Sequence, residues 1–256
     1  EDARKVASKL DIPYYVLDYT ESFSKNVVDN FTQMYAQGLT PNPCVECNRS
    51  VKFDHFITQA KKLNCDKVAT GHYAKIIKKN NEFELHKADY LDKDQSYVLH
   101  MLKSSDLENI SFPLGEISKP EVRQIAARIG LKTAFKKDSQ DICFVGKKDY
   151  RSFVEKRIDL TSPGEIFDIE GNKVGDHNGI HEFTVGQRKG LPGGYGTPRY
   201  VTKINVQNKN VTIGEKKDLL VSSFIVEELS CVNDLEYNNL TIQTRYNSED
   251  LPCEIK

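Results

Sequence analysis

The sequence predicts an α/β protein: a parallel sheet with helices on its faces, followed by two β-rich parts. Residues 1–75 alternate helical and strand patterns, which is typical of a parallel sheet with crossover helices. After about Lys148 helical periodicity fades, and short β patterns alternate with glycine-rich turns. More β patterns begin near Ser222. These changes predict three domains, at 1–148, 149–221 and 222–256.

The elements of the first part follow from their apolar spacing. Residues 1–10 read as a helix, 14–17 as a short buried strand, 27–35 as a second helix and 67–70 as another strand. In such folds the phosphate-binding loop usually follows the first strand. Since this chain opens on a helix, we expect the parallel sheet to lack its first strand and that loop.

The stretch GLTPNPCVECNRSVKF (38–53) is the most informative in the sequence. Its prolines predict a stiff, extended loop at 40–43, because proline fixes φ and disfavours helix in the preceding residue. Asn48 is a suitable N-cap for the apolar helix pattern that follows. Cys47 is therefore expected where a helix begins, and there the unpaired amides and the dipole favour a thiolate.

Further along, turn and cap signals define several elements. Residues 76–91 read as a hairpin around Asn80-Asn81, and 118–130 as a helix that opens on the capping box Ser118–Glu121. Residues 142–145 read as a short apolar strand that contains Cys143. A lone cysteine in that setting is usually an inert core residue, although nearby lysines could activate an exposed one.

Gly71-His72 follows a strand directly, at the edge where open α/β sheets bind ligands. A plain turn with an exposed histidine fits equally well. The polar cluster Lys93-Asp94-Gln95-Ser96 fits either a binding loop or a helix cap.

The bulk composition is that of a soluble globular protein: 256 residues, 38% hydrophobic, 29% charged and a formal net charge of −1. No apolar run is long enough to span a membrane. Six cysteines without a secretion signal read as thiols of a cytoplasmic protein and not as a disulfide scaffold.

The pair Cys44-x-x-Cys47 has two further interpretations. One is half of a zinc site, completed by His55, Cys65 or His72, although no second C-x-x-C is present. The other is a thioredoxin-like dithiol, which would lack its usual aromatic and glycine neighbours.

Six ordered motifs carry a resemblance that extends from residue 1 to at least 213. The chain resembles the bacterial tRNA-specific 2-thiouridylases, PP-loop ATP pyrophosphatases, in the motifs TPNPCVECNRSVKF, ATGHYA, KDQSYVL, FPLGEISKPEVRQIA, KKDSQDICFVG and HNGIHEFTVGQRKGL. The resemblance implies a nucleotide-binding α/β domain, a small central β domain that binds tRNA, and a C-terminal β-barrel that is cut short here.

The resemblance also implies an activity, tRNA-uridine 2-sulfurtransfer at the wobble uridine. ATP, with Mg²⁺, adenylates the C2 oxygen of the base, and a cysteine persulfide then supplies sulfur. Cys47 matches the nucleophile and Cys143 the persulfide carrier. The resemblance implies that Cys47 either attacks the persulfide to release sulfide or closes a disulfide with Cys143. Gly71 matches the ATP pocket. The residues that match tRNA-contacting positions are Asn42, Pro43, Cys44, His72, Lys93, Asp94, Gln95, Arg245 and Tyr246.

Two departures accompany the resemblance. Many relatives have aspartate where this chain has Cys44, and the S-G-G-x-D-S pyrophosphate loop is absent from the sequence. Without that loop we expect the chain to bind ATP poorly and to be inactive alone. The implied partners are the anticodon loop of a tRNA and a sulfur donor of a cysteine desulfurase relay, with no membrane and a monomeric state. A zinc-stabilised, non-catalytic RNA-binding module and a PP-loop sulfurtransferase for another RNA position remain alternatives.

Overall fold

The computed structural model describes residues 1–136, 142–146, 150–158, 162–232, 239–246 and 248–255. The chain divides into two compact units. Unit 1 contains Glu1–Tyr19, Cys44–Asp138 and Glu228–Lys256, and unit 2 contains Thr20–Pro43 and Ser139–Glu227. No helix in these described ranges is both long enough and apolar enough to cross a membrane.

The strands, numbered in chain order, are β1 Val68–Ala69, β2 Ala74–Lys79, β3 Glu82–Lys87, β4 Ile110–Ser111, β5 Gly164–Phe167, β6 Lys173–His177, β7 Tyr200–Asn205, β8 Asn210–Gly214, β9 Thr241–Ile242 and β10 Leu251–Pro252. The α-helical segments are Asp2–Leu10, Thr20–Phe23, Asn30–Ala36, Pro43–Glu46, Asp54–Lys62, Ser104–Leu107, Lys119–Arg128 and Tyr150–Glu155. Two π-helical segments, Ser24–Asp29 and Cys47–Phe53, lie between α-helical ones. Short 3₁₀ segments occur at Leu91–Lys93, Ser96–Leu99, Lys132–Phe135, Ile180–Glu182 and Lys216–Leu219.

Unit 1 contains a pair of parallel strands, as expected for a parallel sheet. Strand β1 pairs in parallel with β4, with Val68 opposite Ile110. A buried apolar cluster packs beside this pair: Phe53, Ala74, Leu99, Leu102, Leu107, Ile110 and Phe112. The mixed α/β character of the first part is confirmed.

Two local predictions in unit 1 are confirmed in detail. Strands β2 and β3 form an antiparallel hairpin, and Asn80 and Asn81 make the turn with φ of 50° and 67°. Two consecutive positive φ values are those of a type I′ hairpin turn, for which asparagine is favoured. The helix Lys119–Arg128 starts with the expected capping box, in which Ser118 and Glu121 bond reciprocally.

The prediction of a buried strand at 14–17 is wrong. This stretch has no strand assignment, and its side chains are exposed, up to 72% for Val16. A strand needs a neighbour to accept its backbone hydrogen bonds, and none of the described strands pairs with this stretch. The apolar composition of residues 14–17 is therefore not sufficient to make them a strand.

Unit 2 combines a helical part and a sheet. The helical part has a core of Phe31, Tyr35, Val145 and Val154. The sheet has the strand order β6-β5-β8-β7, in which only β5 and β8 are parallel. Its buried residues include Ile166, Val201, Val211 and Ile213. The β-rich character predicted after Lys148 is thus observed among the described residues.

Candidate active site

The helix that carries Cys47 begins earlier than predicted, at Pro43. Proline suits the first helical position, because its missing N–H would have no helical partner there and its φ is already helical. The predictions that residue 43 is extended and that Asn48 caps the helix are therefore wrong. Cys47 is the fifth helical residue, so the dipole effect, which fades within the first turn, acts on it less than we expected.

We call the three contiguous segments Pro43–Glu46, Cys47–Phe53 and Asp54–Lys62 the Cys47 helix. Cys47 opens its π segment and is half-buried. Local side-chain bonds hold the backbone here: Arg49 pairs with Glu46 at 2.6 Å, and the Ser50 hydroxyl donates to the Glu46 carbonyl at 2.9 Å. π-helical insertions occur often at functional sites. The π segment that begins at Cys47 therefore supports a functional role for this residue.

Solvent reaches the start of the Cys47 helix. Asn42 and Cys44 are exposed, whereas Pro43 between them is buried. Cys44 and Cys47 are three residues apart, a spacing that puts side chains on one face of a helix. An exposed asparagine and a thiol beside Cys47 are compatible with the predicted contact to a substrate.

Gly71 and His72 follow β1 at its carboxyl end, as predicted. Gly71 is exposed, whereas His72 is buried at 8% exposure with its ring 5.9 Å from those of Phe53 and Phe112. Its Nδ1 lies 2.8 Å from the Thr70 hydroxyl. Burial lowers the pKa of His72 to about 4, helped by the charge of Lys52. His72 is therefore neutral at pH 7.

The segment Lys93-Asp94-Gln95 packs against the same strand end. Gln95 pairs with the backbone of Tyr73 twice: its N–H donates to the Tyr73 carbonyl at 2.7 Å, and its Oε1 accepts from the Tyr73 N–H at 3.0 Å. Asp94 accepts from the Ala88 N–H at 2.8 Å and from the Ser96 hydroxyl at 2.6 Å. Asp94 and Gln95 thus fix the loop, and Lys93 sits half-buried at its start.

Arg245 and Tyr246 lie in a turn near the same loop. The Tyr246 ring is 6.2 Å from the ring of Tyr97, and the Tyr97 hydroxyl donates to the Thr244 carbonyl at 3.5 Å. The side chains of Arg245 and Tyr246 are exposed. Two tRNA-contact segments predicted about 150 residues apart are therefore neighbours in unit 1.

Cys143 belongs to unit 2 and lies in a turn, so the prediction of a strand at 142–145 is wrong. The N–H groups of Val145 and Gly146 both donate to the Ile142 carbonyl, and Gly146 has a φ of +67°. Cys143 is exposed, whereas Phe144 packs on three aromatic rings. The interpretation as an inert core cysteine is therefore excluded.

Phe144 and its neighbours explain why a short apolar run forms a turn here. Phe144 lies 5.6 Å from Phe23, 5.3 Å from Phe31 and 5.2 Å from Phe153, ring centre to ring centre. Val145 is buried in the same cluster. Ile142, on the other side of Cys143, also packs against this cluster. Packed side chains therefore flank the thiol, which is exposed.

The structure places the predicted residues in two groups. Unit 1 holds Cys44, Cys47, Gly71, His72, Lys93, Asp94, Gln95, Arg245 and Tyr246, and unit 2 holds Asn42, Pro43 and Cys143. Sequence reasoning did not predict that Tyr73 contacts Gln95, or that Tyr97 contacts the turn at 244–246. An aromatic residue next to a motif gives no distinct signal for such contacts. Sequence reasoning also missed Glu155, His181 and Glu182, whose ligand atoms lie within 4.8 Å of one another in unit 2. The roles predicted from the sequence for the residues of the two groups stay predictions.

Comparisons with known proteins give the family. Residues 1–147 match the model described as tRNA methyl transferase HUP domain, and residues 151–215 match the tRNA methyl transferase PRC-barrel domain. The chain is 44% identical over 255 residues to the tRNA-specific 2-thiouridylase MnmA of Rickettsia prowazekii, which covers 98% of this chain and 71% of that protein.

Two relatives from other bacteria agree. The protein of the same name from Lachnoclostridium phytofermentans is 42% identical over 264 residues, covering 100% of this chain and 73% of the relative. The one from Chloroflexus aurantiacus is 43% identical over 258 residues, covering 99% of this chain and 72% of the relative. Identity at this level over nearly the whole chain shows that the chain belongs to the tRNA-specific 2-thiouridylase family.

Proposed function

We propose that this protein makes 2-thiouridine in tRNA, by sulfur transfer from a cysteine persulfide to the wobble uridine. The observation that supports it most directly is the Cys143 turn: its flanking apolar side chains are packed, and its thiol is exposed. A persulfide carrier must be reached by a donor protein and by the substrate, so exposure on a fixed turn is what the role requires. Family membership supplies the reaction class.

The chemistry assigns one step to each thiol. Cys143 carries the persulfide, and its terminal sulfur, having lost its proton, bonds to C2 of the adenylated base. The bond from C2 to its oxygen breaks, and the oxygen leaves as part of AMP. The Cys47 thiolate then attacks the Cys143 sulfur, and the bond between Cys143 and the transferred sulfur breaks. The base keeps that sulfur, and a Cys47–Cys143 disulfide remains, which a cellular thiol must reduce before the next turnover.

Gly71 is the residue we propose for the ATP pocket. It is exposed at the carboxyl end of a parallel strand, and a Cβ there would come no closer than 3.7 Å to any heavy atom outside its neighbours, at Leu114. The site is therefore open enough for a nucleotide to approach the backbone. ATP, with Mg²⁺, supplies the adenylyl group that turns the uridine oxygen into a leaving group.

For tRNA we propose contacts with Lys93, Arg245 and Tyr246 of unit 1. We also propose Asn42, Pro43 and Cys44 as contacts to the target base. Exposed cationic and aromatic side chains can bind phosphates and stack on unpaired bases, and a wobble uridine lies in a single-stranded loop. Asp94 and Gln95 hold this loop through backbone bonds. His72, being neutral, would contact RNA only as a hydrogen-bonding group. We further propose that the protein is a cytoplasmic monomer. It would receive its sulfur from a donor protein of a cysteine desulfurase relay.

The test is mass spectrometry of alkylated cysteines after incubation with a cysteine desulfurase and free cysteine. We expect added sulfur on Cys143, or a Cys47–Cys143 disulfide, and loss of both products in Cys143→Ser. In Cys47→Ser the persulfide should accumulate. Cys65→Ser, which changes an exposed thiol in unit 1, is the matched control.

The same sample is analysed for zinc, because the competing RNA-binding module predicts one zinc per chain. An unmodified Cys143 together with zinc-protected Cys44 and Cys47 would contradict sulfur transfer. Metal binding at such a site would also make the fold sensitive to chelators.

A further inference from the structure

Asn48, the residue directly after Cys47, is a buried amide with only one of its two polar ends satisfied. Its side chain is 3% exposed, and its Nδ2 donates to the Val98 carbonyl at 2.9 Å. Its Oδ1 is buried and has no hydrogen-bond partner among the described residues. A buried polar atom without a partner costs about 1–3 kcal/mol. Asparagine is thus not the most stabilising residue for this position, and its presence needs another explanation.

The π winding explains how Asn48 reaches Val98. Asn48 and Phe53 are five residues apart. In an α-helix, with about 3.6 residues per turn, they would face different sides, whereas i→i+5 bonding brings them close to one line. Phe53, 1% exposed, packs in the cluster that contains Leu99, the neighbour of Val98. Both ends of the π segment therefore engage the 3₁₀ segment Ser96–Leu99.

That 3₁₀ segment is itself tied to the strand end beside Gly71. The Val98 N–H donates to the Gln95 carbonyl at 3.1 Å, and Gln95 pairs twice with the Tyr73 backbone. The Asn48 amide is therefore the first bond in a continuous path from the Cys47 helix to the Gly71–Tyr73 segment. All of these residues belong to unit 1.

We propose that Asn48 is a positioning residue for Cys47. Its bond to Val98 holds the π winding that starts at Cys47, and this winding sets the direction and the solvent access of the thiol. The inference rests on the proposed role of Cys47 and extends it. It predicts that the reactivity of Cys47 and the stability of the fold respond separately to changes at Asn48.

The test uses Asn48→Leu, a substitution of similar size that removes the bond and the unsatisfied oxygen together. The free energy of unfolding in urea should change little, because the loss of the donor to the Val98 carbonyl is offset by removal of the buried unsatisfied oxygen. The limiting rate of Cys47 alkylation, taken from its pH profile by peptide mass spectrometry, should change about threefold or more, since small displacements of reacting groups have large kinetic effects. The exposed thiol of Cys65 is the internal reference and should react as in the wild type.

A second variant, Asn48→Asp, tests the same inference if Asn48→Leu does not fold. A carboxyl group can donate to the Val98 carbonyl only while protonated. Hydrogen exchange of residues 47–53 should therefore be faster than in the wild type at neutral pH and approach it at acidic pH. Ser104→Ala is the matched control, because it removes a part-buried hydroxyl that bonds the Phe83 backbone in the same unit. It should lower stability and leave the Cys47 kinetics unchanged.

Wild-type Cys47 kinetics in Asn48→Leu would overturn the inference. So would a kinetic change that only follows the loss of stability, as a purely structural residue would give. Alkylation needs neither tRNA nor a sulfur donor. If Cys143 fails to carry sulfur while Asn48→Leu still alters Cys47, the proposed function fails and the positioning role stands.

Discussion

We expect buried His72 to make the stability of unit 1 depend on pH, and one substitution should remove this dependence. The His72 ring is buried between Phe53 and Phe112. Burial, with the charge of Lys52 as a smaller cause, lowers its pKa from 6.5 to about 4. His72→Phe keeps an aromatic ring of similar size in this pocket and abolishes the titration.

The sign follows from proton binding. Below pH 6.5 the unfolded chain binds a proton at His72, whereas the folded chain does not until the pH approaches 4. The unfolded state thus binds more protons in this window, so the folded state loses stability as the pH falls through it. A pKa difference of 2.5, at about 1.4 kcal/mol for each pKa unit, gives a loss of about 3 kcal/mol.

The assay is urea unfolding of the wild type and of His72→Phe at several pH values from about 7.5 down to about 4, with unit 1 followed by hydrogen exchange. Comparing the two proteins at each pH cancels the titration of other groups, including His177, whose pKa burial also lowers. The wild type should lose about 3 kcal/mol more than the variant. His100→Phe, at an exposed histidine, is the control and should follow the wild type.

Stability curves of wild type and His72→Phe that stay parallel over the whole range would refute the reasoning. They would mean that His72 titrates normally, and hence that it is solvated in solution. In that case a protonated His72 could pair with an RNA phosphate, which the buried position disfavours.

Four further outcomes are expected. Gly115→Ala should destabilise unit 1 by about 3 kcal/mol or more in urea unfolding, because its Cβ would lie 2.1 Å from the Ala74 carbonyl oxygen. Gly71→Ala should leave urea unfolding unchanged, since its Cβ would make only an ordinary contact with Leu114. Phe144→Ala should cost unit 2 about 2–4 kcal/mol through three lost ring contacts, and faster exchange of residues 142–146 would report the loosened turn. Asp94→Ala should cost about 1–3 kcal/mol in the same unfolding assay, because it leaves a backbone amide without its acceptor.

Sequence reasoning succeeded where a local signal and the fold agree. The asparagine pair at 80–81 prefers positive φ, and the Ser118–Glu121 box satisfies helix N–H groups without help from elsewhere. These elements need no distant partner, so residue types alone determine them. The alternation of the first 75 residues predicted a parallel sheet, and the strand expected at 67–70 does pair in parallel, although its partner β4 lies outside those residues.

The failures share the opposite cause. The apolar residues at 14–17 have the composition of a strand, but no described strand supplies the hydrogen bonds that a strand needs. Residues 142–145 are equally apolar, but Phe144 finds three aromatic partners on helices and the backbone turns to reach them. In both stretches the backbone conformation depends on tertiary contacts, and the pattern of apolar residues in the sequence does not reveal those contacts.

The candidate site shows the same division between what motifs predict and what packing supplies. Motifs predicted functions for Cys47, His72 and Gln95, but not which contacts connect these residues. The structure supplies the link: Asn48 bonds Val98, Val98 bonds Gln95, and Gln95 pairs with the residue next to His72. Because each bond runs to a backbone group, no side chain in this path has a spacing that sequence reasoning could detect. The reactivity of Cys47 is therefore expected to depend on residues far from it in sequence, and Asn48 is the nearest point at which that dependence can be measured.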